Sequence, residues 1–332
     1  MHNPKYSIIV PVYNRPEEVR ELLESLINQK LKIFEVIIVE DGSTIPCKEI
    51  VDEYSNQLNL KYFTKENTGP GTTRNFGANK ASGEYFIFFD SDCLIPEDYL
   101  KHVEEELSIH PVDAFGGPDR AHSSFTPIQK AINYSMTSFF TTGGIRGGKE
   151  RLDKFYPRSF NMGVSRQTFE KTGGFSTLRF GEDIDFSFRI ISNGFKTKLF
   201  SKAFVYHKRR TDFRKFYRQV YNSGIARINL NILHPKTLKL VHILPSAFVI
   251  VMLLSLLASP FTLYALAIPV VYSLMVLLSS LLINKSVRVA TLSIAAAWVQ
   301  LFGYGIGFIE AFWKRIILKK DNFKAFEKNF YK

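Results

Sequence analysis

Between Lys239 and Lys285 the chain runs for 45 residues without an Asp, Glu, Lys or Arg. A bilayer span takes roughly 20 predominantly apolar residues. The run therefore fits two, near 240–258 and 261–283, with Ser259 and Pro260 at the turn between them. Another uncharged stretch, Val289–Ile309, is long enough for a third. A buried helical hairpin in a soluble core is the alternative, but such helices keep a polar face and these stretches show none. The reading divides the chain into an α/β domain at 1–237, a transmembrane region at 238–313 and a basic tail at 314–332. Gly303, Gly305 and Gly307 weaken the third helix, which makes it the candidate for a re-entrant or interfacial segment. Trp313 and the basic residues after it suit an interfacial helix.

The formal net charge is +12, which first suggests a nucleic-acid binder. Its distribution argues otherwise. Residues 1–195 carry a net −5, residues 196–239 a net +11 and residues 314–332 a net +5. The basic blocks flank the apolar region, where anionic lipids attract each Lys or Arg by roughly 1 kcal/mol. No nucleic-acid partner is expected. The positive-inside bias puts 196–239 in the cytoplasm. Three spans then carry the basic tail to the other side, against the same bias. Cys47 and Cys93 are the only cysteines, which excludes a disulfide framework and a four-cysteine zinc site. No cleaved export signal is expected at the start.

Within 1–237, strands alternate with helices. Tyr6–Val12 and Phe34–Val39 are β-branched runs of the kind buried on both faces. Asn14 is a candidate cap for the next helix, Pro16 fits its first turn, and Glu17 and Glu18 suit its positive end. Helices over 47–58, 72–81, 97–108 and 184–193 and strands over 60–64, 84–89 and 200–206 complete the pattern. Such alternation implies a doubly wound, mainly parallel sheet. Ligands of these sheets bind beyond the carboxyl ends of the strands.

Three strand ends carry polar residues: Tyr13-Asn14, Glu40-Asp41-Gly42-Ser43 and Asp90-Ser91-Asp92. Carboxylates one residue apart repel, and a hard divalent cation with a substrate phosphate relieves that repulsion. A capping turn is the plain alternative. Asn67-Thr68-Gly69-Pro70-Gly71-Thr72-Thr73-Arg74 is a Gly-rich turn entering a helix, with free amides and Arg74 suited to a phosphate, or else an ordinary loop. It matches neither the dinucleotide fingerprint nor the P-loop. Glu182-Asp183-Ile184-Asp185 offers a general base or simple compensation of a helix N-terminus. His207, beside Lys208-Arg209-Arg210, is a phosphate or metal ligand or a surface group. Gly143–Gly148 is a lid over the acceptor or a plain loop.

In order and spacing, these blocks resemble the glycosyltransferase family 2 domain of the GT-A nucleotide-sugar type, over about 5–225. The carrying segments are SIIVPVYNRPEEVRELLESLINQ, VIIVEDGST, NTGPGTTRNFGANKASGEYFIFFDSD, FNMGVSRQTFEKTGGF and FGEDIDFSFR. The hydrophobic tail resembles that of bacterial membrane-attached members that build exopolysaccharide or lipid-linked glycans. The resemblance implies a nucleotide site at Pro11, Val12, Tyr13, Glu40, Asp41, Asn67 and Arg74, although Glu40 stands where Asp is commoner. Asp90 and Ser91 belong to the donor site, and Asp92 to Mg²⁺ or Mn²⁺, with His207 a metal ligand in some members. Asp183 matches the base, while Glu182 and Asn161 match acceptor contacts.

The implied reaction is inverting transfer from a nucleotide sugar, with UDP favoured, to a lipid-linked or polysaccharide acceptor. The alternative acceptor is polyprenyl phosphate. The implied place is the cytoplasmic face of a bacterial inner membrane. The Gln-x-x-Arg-Trp block of processive synthases is missing: the region reads Arg218-Gln219-Val220-Tyr221-Asn222. One sugar per encounter is therefore expected. The rival from another class is a catalytically dead nucleotide-binding scaffold, which need not keep Asp90, Asp92 and Asp183.

Overall fold

The computed structural model describes residues 4–143 and 155–320. The chain packs as two units that interleave in sequence. One comprises residues 1–122 with 148–207, the other 123–147 with 208–332.

The first unit is built on a seven-stranded sheet. Its strands are β1 (Tyr6–Val12), β2 (Phe34–Asp41), β3 (Leu60–Lys65), β4 (Tyr85–Phe89), β6 (Ala114–Gly116), β8 (Asn161–Ser165) and β9 (Thr197–Leu199). Their order is β3-β2-β1-β4-β8-β6-β9. Only β8 runs against its neighbours. A smaller sheet of order β5-β10-β7 joins β5 (Cys93–Leu94), β7 (Asp119–Arg120) and β10 (Val205–His207). The doubly wound, mainly parallel class expected from the alternation is the one observed.

Alternation along each strand supplies both cores. Ile8, Val10 and Val12 face one side with α1 (Pro16–Ile27), α2 (Lys48–Tyr54) and α4 (Tyr99–Ile109). Ile9, Ile37, Val39, Phe86 and Phe88 face the other with α3 (Pro70–Ala78), α7 (Arg166–Thr172) and α8 (Glu182–Ser192). Both faces are apolar because both are covered. Helix α1 buries Val19, Leu22, Leu23 and Leu26, with Pro16 in its first turn.

Two local expectations change. Asn14 does not cap α1: its φ is +53°, and its Oδ1 instead accepts from the amides of Thr44 and Ile45. It ties the end of β1 to the turn after β2. Of the strand expected over 200–206, only Val205–His207 pairs, because its partners β5 and β7 are each two residues long. Phe200 and Ala203 are instead buried in the core from a turn.

The second unit is helical. It comprises α5 (Pro127–Thr137), α6 (Phe139–Thr142), α9 (Phe213–Leu233), α10 (Leu240–Ala258), α11 (Ala267–Asn284) and α12 (Val287–Ala311). Among the described residues, three helical segments are long and apolar enough to cross a membrane: Leu240–Ala258, Leu263–Asn284 and Val287–Ile317. The packing boundary differs from a simple division at 237. Ala131, Ile132 and Met136 of α5 pack on Phe216 and Val220 of α9 and on Val289 and Ala296 of α12. An apolar stripe on α5 requires that cover.

The glycines of α12 do not interrupt it; the helix is continuous for 25 residues. They are contact points. A Cβ at Gly307 would lie 2.2 Å from the Tyr221 carbonyl oxygen, and one at Gly224 2.2 Å from that of Tyr304. A Cβ at Gly305 would lie 2.6 Å from the Pro245 carbonyl oxygen. Small residues let helix backbones approach closely in an apolar medium. Trp313 lies in a π-helical turn, Phe312–Ile317, that continues α12. The end of the basic tail, and the Gly-rich stretch apart from Gly143, lie outside the described residues.

Candidate active site

The site grows from the carboxyl ends of β1, β2 and β4 and the start of α8. Pro11 and Val12 end β1, with Val12 buried and Tyr13 half-buried beyond it. Asp41 ends β2. Its carboxylate accepts from the amides of Thr68 and Gly69, each at 2.9 Å, and from Lys65 Nζ at 2.6 Å. Asn67 Nδ2 donates to the Asp41 carbonyl at 2.7 Å. These bonds fix the loop ahead of α3, with Gly69 at a φ of +96°. That loop sets the register in which Arg74 emerges from α3.

Arg74 is buried and bridges two carboxylates. One terminal nitrogen donates to Asp90 Oδ1 at 2.6 Å, the other to Glu182 Oε1 at 3.1 Å. Asp90, buried Ser91 and Asp92 follow β4 directly. Next comes β5, which pairs antiparallel with β10 so that His207 stands opposite Cys93. That register brings His207 Nε2 to 3.1 Å from Asp92 Oδ1. The other oxygen of Asp92 meets Arg15 at 2.5 Å.

Asp183 and Glu182 lie in the first turn of α8, where the helix dipole favours negative charge. Asp183 Oδ1 accepts from the Ile184 amide at 2.8 Å, and Oδ2 from Arg158 Nε at 2.6 Å. Burial alone would raise its pKa, but Arg158 and then Arg74 outweigh it and hold the carboxyl below its ordinary value. Glu182 goes the other way. Burial, then the charge of Asp183, push it up to about 7 despite Arg74. Two neighbouring acids are thus driven apart, with Asp183 the more readily ionised of the two. This is the pattern that divides acid and base roles in many sites.

Two of the expected residues make structural bonds. Glu40 is buried, and its oxygens accept from the Ser43 hydroxyl and from the Cys47 amide at 2.7 Å. It shapes the turn after β2. Asn161 is fully buried, accepting from the Tyr99 hydroxyl at 2.6 Å and donating to the Ala203 carbonyl at 2.8 Å. Both ends of its amide are engaged in the core, as a strut's are. Arg15 and Arg158 were not singled out from sequence. Arg15 had a signal, since it directly follows a strand-end Tyr-Asn pair. Arg158 had none, standing in an irregular stretch before β8.

The cation expected at Asp92 can be tested against this geometry. Adjacent ligands of an octahedral ion with bonds of ~2.1 Å lie roughly 3.0 Å apart. The carboxylate–imidazole distance of 3.1 Å matches that edge. Cys93 completes a three-residue cluster with Asp92 and His207. It is fully buried, however, and its thiol donates to the Phe160 carbonyl at 3.6 Å, as an inert structural cysteine does. By donor type the carboxylate suits Mg²⁺ or Mn²⁺, whereas the imidazole suits softer divalent ions; Arg15 on the second oxygen already supplies part of the positive charge.

Comparisons with known proteins agree with this architecture. Residues 7–173 match the family model described as glycosyl transferase family 2. A putative glycosyltransferase, EpsH, from Bacillus subtilis is 41% identical over 246 residues, covering 70% of this chain and 69% of that protein. An uncharacterized glycosyltransferase of Rickettsia felis is 35% identical over 151 residues, covering 44% of this chain. The chain spans only about a fifth of the length of the first such relatives (23%, 19% and 21%). Among solved structures, a mannosyltransferase of Pyrobaculum calidifontis, in complex with GDP-Man and Mn²⁺, superposes with a TM-score of 0.60 at 17% identity. That match covers 95% of this chain and 89% of the other. Staphylococcus aureus TarS 1–349 in complex with UDP-GlcNAc gives a TM-score of 0.50 at 21% identity, covering 92% and 91%. At such identities these two speak for the fold alone. On the family model and the EpsH match, the chain belongs to glycosyltransferase family 2.

Proposed function

We propose that this chain is a membrane-bound inverting glycosyltransferase that moves one sugar from a nucleotide diphosphate sugar, UDP-linked by preference, to an acceptor hydroxyl. The carrying observation is a set of three ion-paired groups, Arg15–Asp92, Asp90–Arg74–Glu182 and Asp183–Arg158, joined by the sequence adjacency of Asp90-Ser91-Asp92 and of Glu182-Asp183. It sets an ionised carboxylate and a cation-ready pair into one cluster beyond the strand ends, where substrates of such sheets bind. The donor's nucleoside is assigned to Pro11, Val12, Tyr13, Asp41 and Asn67, and its ribose to Asp90.

Asp183 removes the proton of the acceptor hydroxyl. The oxygen bonds to the anomeric carbon as the bond to the diphosphate breaks, and the nucleoside diphosphate departs with that electron pair. Attack from the opposite face inverts the centre. Glu182, whose carboxyl burial and Asp183 push up to about 7, is assigned to hydrogen-bond the acceptor. A Mg²⁺ or Mn²⁺ ion at Asp92 and His207 would neutralise charge on the departing diphosphate.

An ionised base favours a hydroxyl acceptor over polyprenyl phosphate, whose oxygen is already deprotonated and needs no base. The acceptor is assigned to a lipid-linked or polysaccharide glycan of the bacterial cell envelope. The three candidate spans would hold the enzyme in the inner membrane, with the catalytic unit on the cytoplasmic side among anionic lipids.

A donor screen tests the reading. Full-length protein in detergent or nanodiscs, with Mn²⁺ and a lipid-linked glycan, should release UDP from one of a panel of nucleotide sugars. EDTA should stop it, and Mn²⁺ should restore it. Release that ignores EDTA would remove the metal assignment. Equal transfer to polyprenyl phosphate would remove the hydroxyl preference.

A further inference from the structure

Arg158 lies outside every motif recognised in the sequence, yet it makes a direct bond to the carboxylate read above as the base. We propose that Arg158 is a positioning residue for Asp183, holding one carboxylate oxygen so that the remaining lone pairs point at the acceptor hydroxyl. This rests on the reading of Asp183 as base.

Three observations carry it. The first is two-point fixation of the carboxylate: Arg158 Nε donates to Oδ2 at 2.6 Å and the Ile184 amide to Oδ1 at 2.8 Å. Each carboxylate oxygen offers two lone pairs, so both bonds leave acceptor capacity for an incoming proton. The Asp183 side chain keeps 9% of its surface open for it.

The second is that the Arg158 backbone is itself held. Its carbonyl accepts from the Asn161 amide at 2.9 Å. The preceding carbonyl, of Pro157, accepts from the Ser187 hydroxyl at 2.7 Å. Ser187 belongs to α8, the helix that bears Asp183, so the arginine and its carboxylate are tied to the same rigid element. Asn161 is in turn fixed by Tyr99 and Ala203. The strut role found for Asn161 thus has a purpose: it stiffens the turn that presents Arg158.

The third is the electrostatic setting. The charged groups acting on Asp183 are Arg158 and Arg74, with Glu182 beside it; Asp119 acts on Arg158, and Asp90 on Arg74 and Glu182. Arg158 is the stronger of the two cations acting on Asp183. Its side chain is 36% exposed, so replacing it need not leave a cavity in the core.

The test compares Arg158→Gln and Arg158→Lys with wild type and with Asp183→Asn, all full-length and with the same donor. Arg158→Gln is expected to lower kcat about 100-fold, as loss of alignment does, with the donor KM within about twofold, the signature of an interaction made only in the transition state. The pH profile supplies the readout that a merely structural residue would not move. Activity falls in acid as the base takes up a proton. Losing a neighbouring Arg raises a carboxylate pKa by about one unit or more, so the acid limb should shift up by about one pH unit. Arg158→Lys should recover part of kcat and part of the limb position.

An unmoved acid limb in both variants, or a raised donor KM with kcat kept, would overturn the proposal. If Arg158→Gln fails to fold, the limb and kcat of Arg158→Lys decide alone. Asp183→Asn separates the two levels: full turnover there sinks the base assignment, whereas loss there with a wild-type Arg158→Gln profile sinks only the positioning role.

Discussion

Asp183→Asn should leave the protein folded and able to bind donor while transfer falls by about 10²–10⁴-fold, the usual worth of a general base. The amide keeps the volume of the carboxylate, and its oxygen can still accept from the Ile184 amide. What it loses is the charge and the ability to take a proton. Arg158 then faces the amide NH2, itself a donor, and turns away to water, a tolerable change for a side chain that reaches solvent. Fluorescence titration with the nucleoside diphosphate and Mn²⁺ measures binding, and product release under saturating donor measures turnover. Turnover surviving at wild-type level would show that another group removes the proton. The same variant should also lower the pKa of Glu182, because the repulsion from Asp183, second only to burial in raising it, is gone. Loss of binding together with turnover would instead place Asp183 in the donor site.

The second large effect lies far along the chain. Gly307→Leu should destabilise the helical unit severely, and Gly224→Leu likewise. In each case the new side chain starts 2.2 Å from a backbone oxygen of the facing helix. Backbone has no rotamer with which to give way, so α9 and α12 must separate along their contact. Overpacking of this kind costs roughly 3 kcal/mol or more, which corresponds to a fall in melting temperature of about 10 °C. Thermal unfolding in detergent, followed by the appearance of a trypsin-sensitive α9, reads it out. The control is Leu278→Ala on α11, where the side chain is 59% exposed and little packing is lost. Equal melting temperatures for Gly307→Leu and the control would mean that the close approach of these helices is not maintained in solution.

How far the sequence reached depends on whether its signals were local. The alternating Ile8, Ile9, Val10 run announces a strand covered on both faces, because period two is written into adjacent residues. Asp90-Ser91-Asp92 was legible for the same reason: a carboxylate pair at a strand end is a local pattern. His207 joins Asp92 only because β10 pairs antiparallel with β5, and no spacing rule foretells that register. Arg158 meets Asp183 across 25 residues through a turn without regular structure. Asn161 looked functional because it is polar within a conspicuous block, whereas its surroundings make it a buried strut. In the sequence the glycines of α12 signal only low helix propensity. Their real environment is the facing helix, and tertiary contact overrides propensity there.

The interleaving of the two units bears on synthesis. Helix α5 leaves the ribosome roughly 150 residues before α12, which shares with α9 the cover of Ala131, Ile132 and Met136. At ~5–20 residues per second, that apolar stripe waits about ten to thirty seconds for the α12 part of its cover. The first sheet can close long before then, since all its strands precede residue 200. A ribosome that stalls after residue 237 would therefore release a chain with a finished sheet and an α5–α9 pair that lacks α12, the very piece that a soluble truncation at that point would produce. Such a truncation should express as an aggregation-prone protein whose flaw lies in α5 and not in the catalytic sheet.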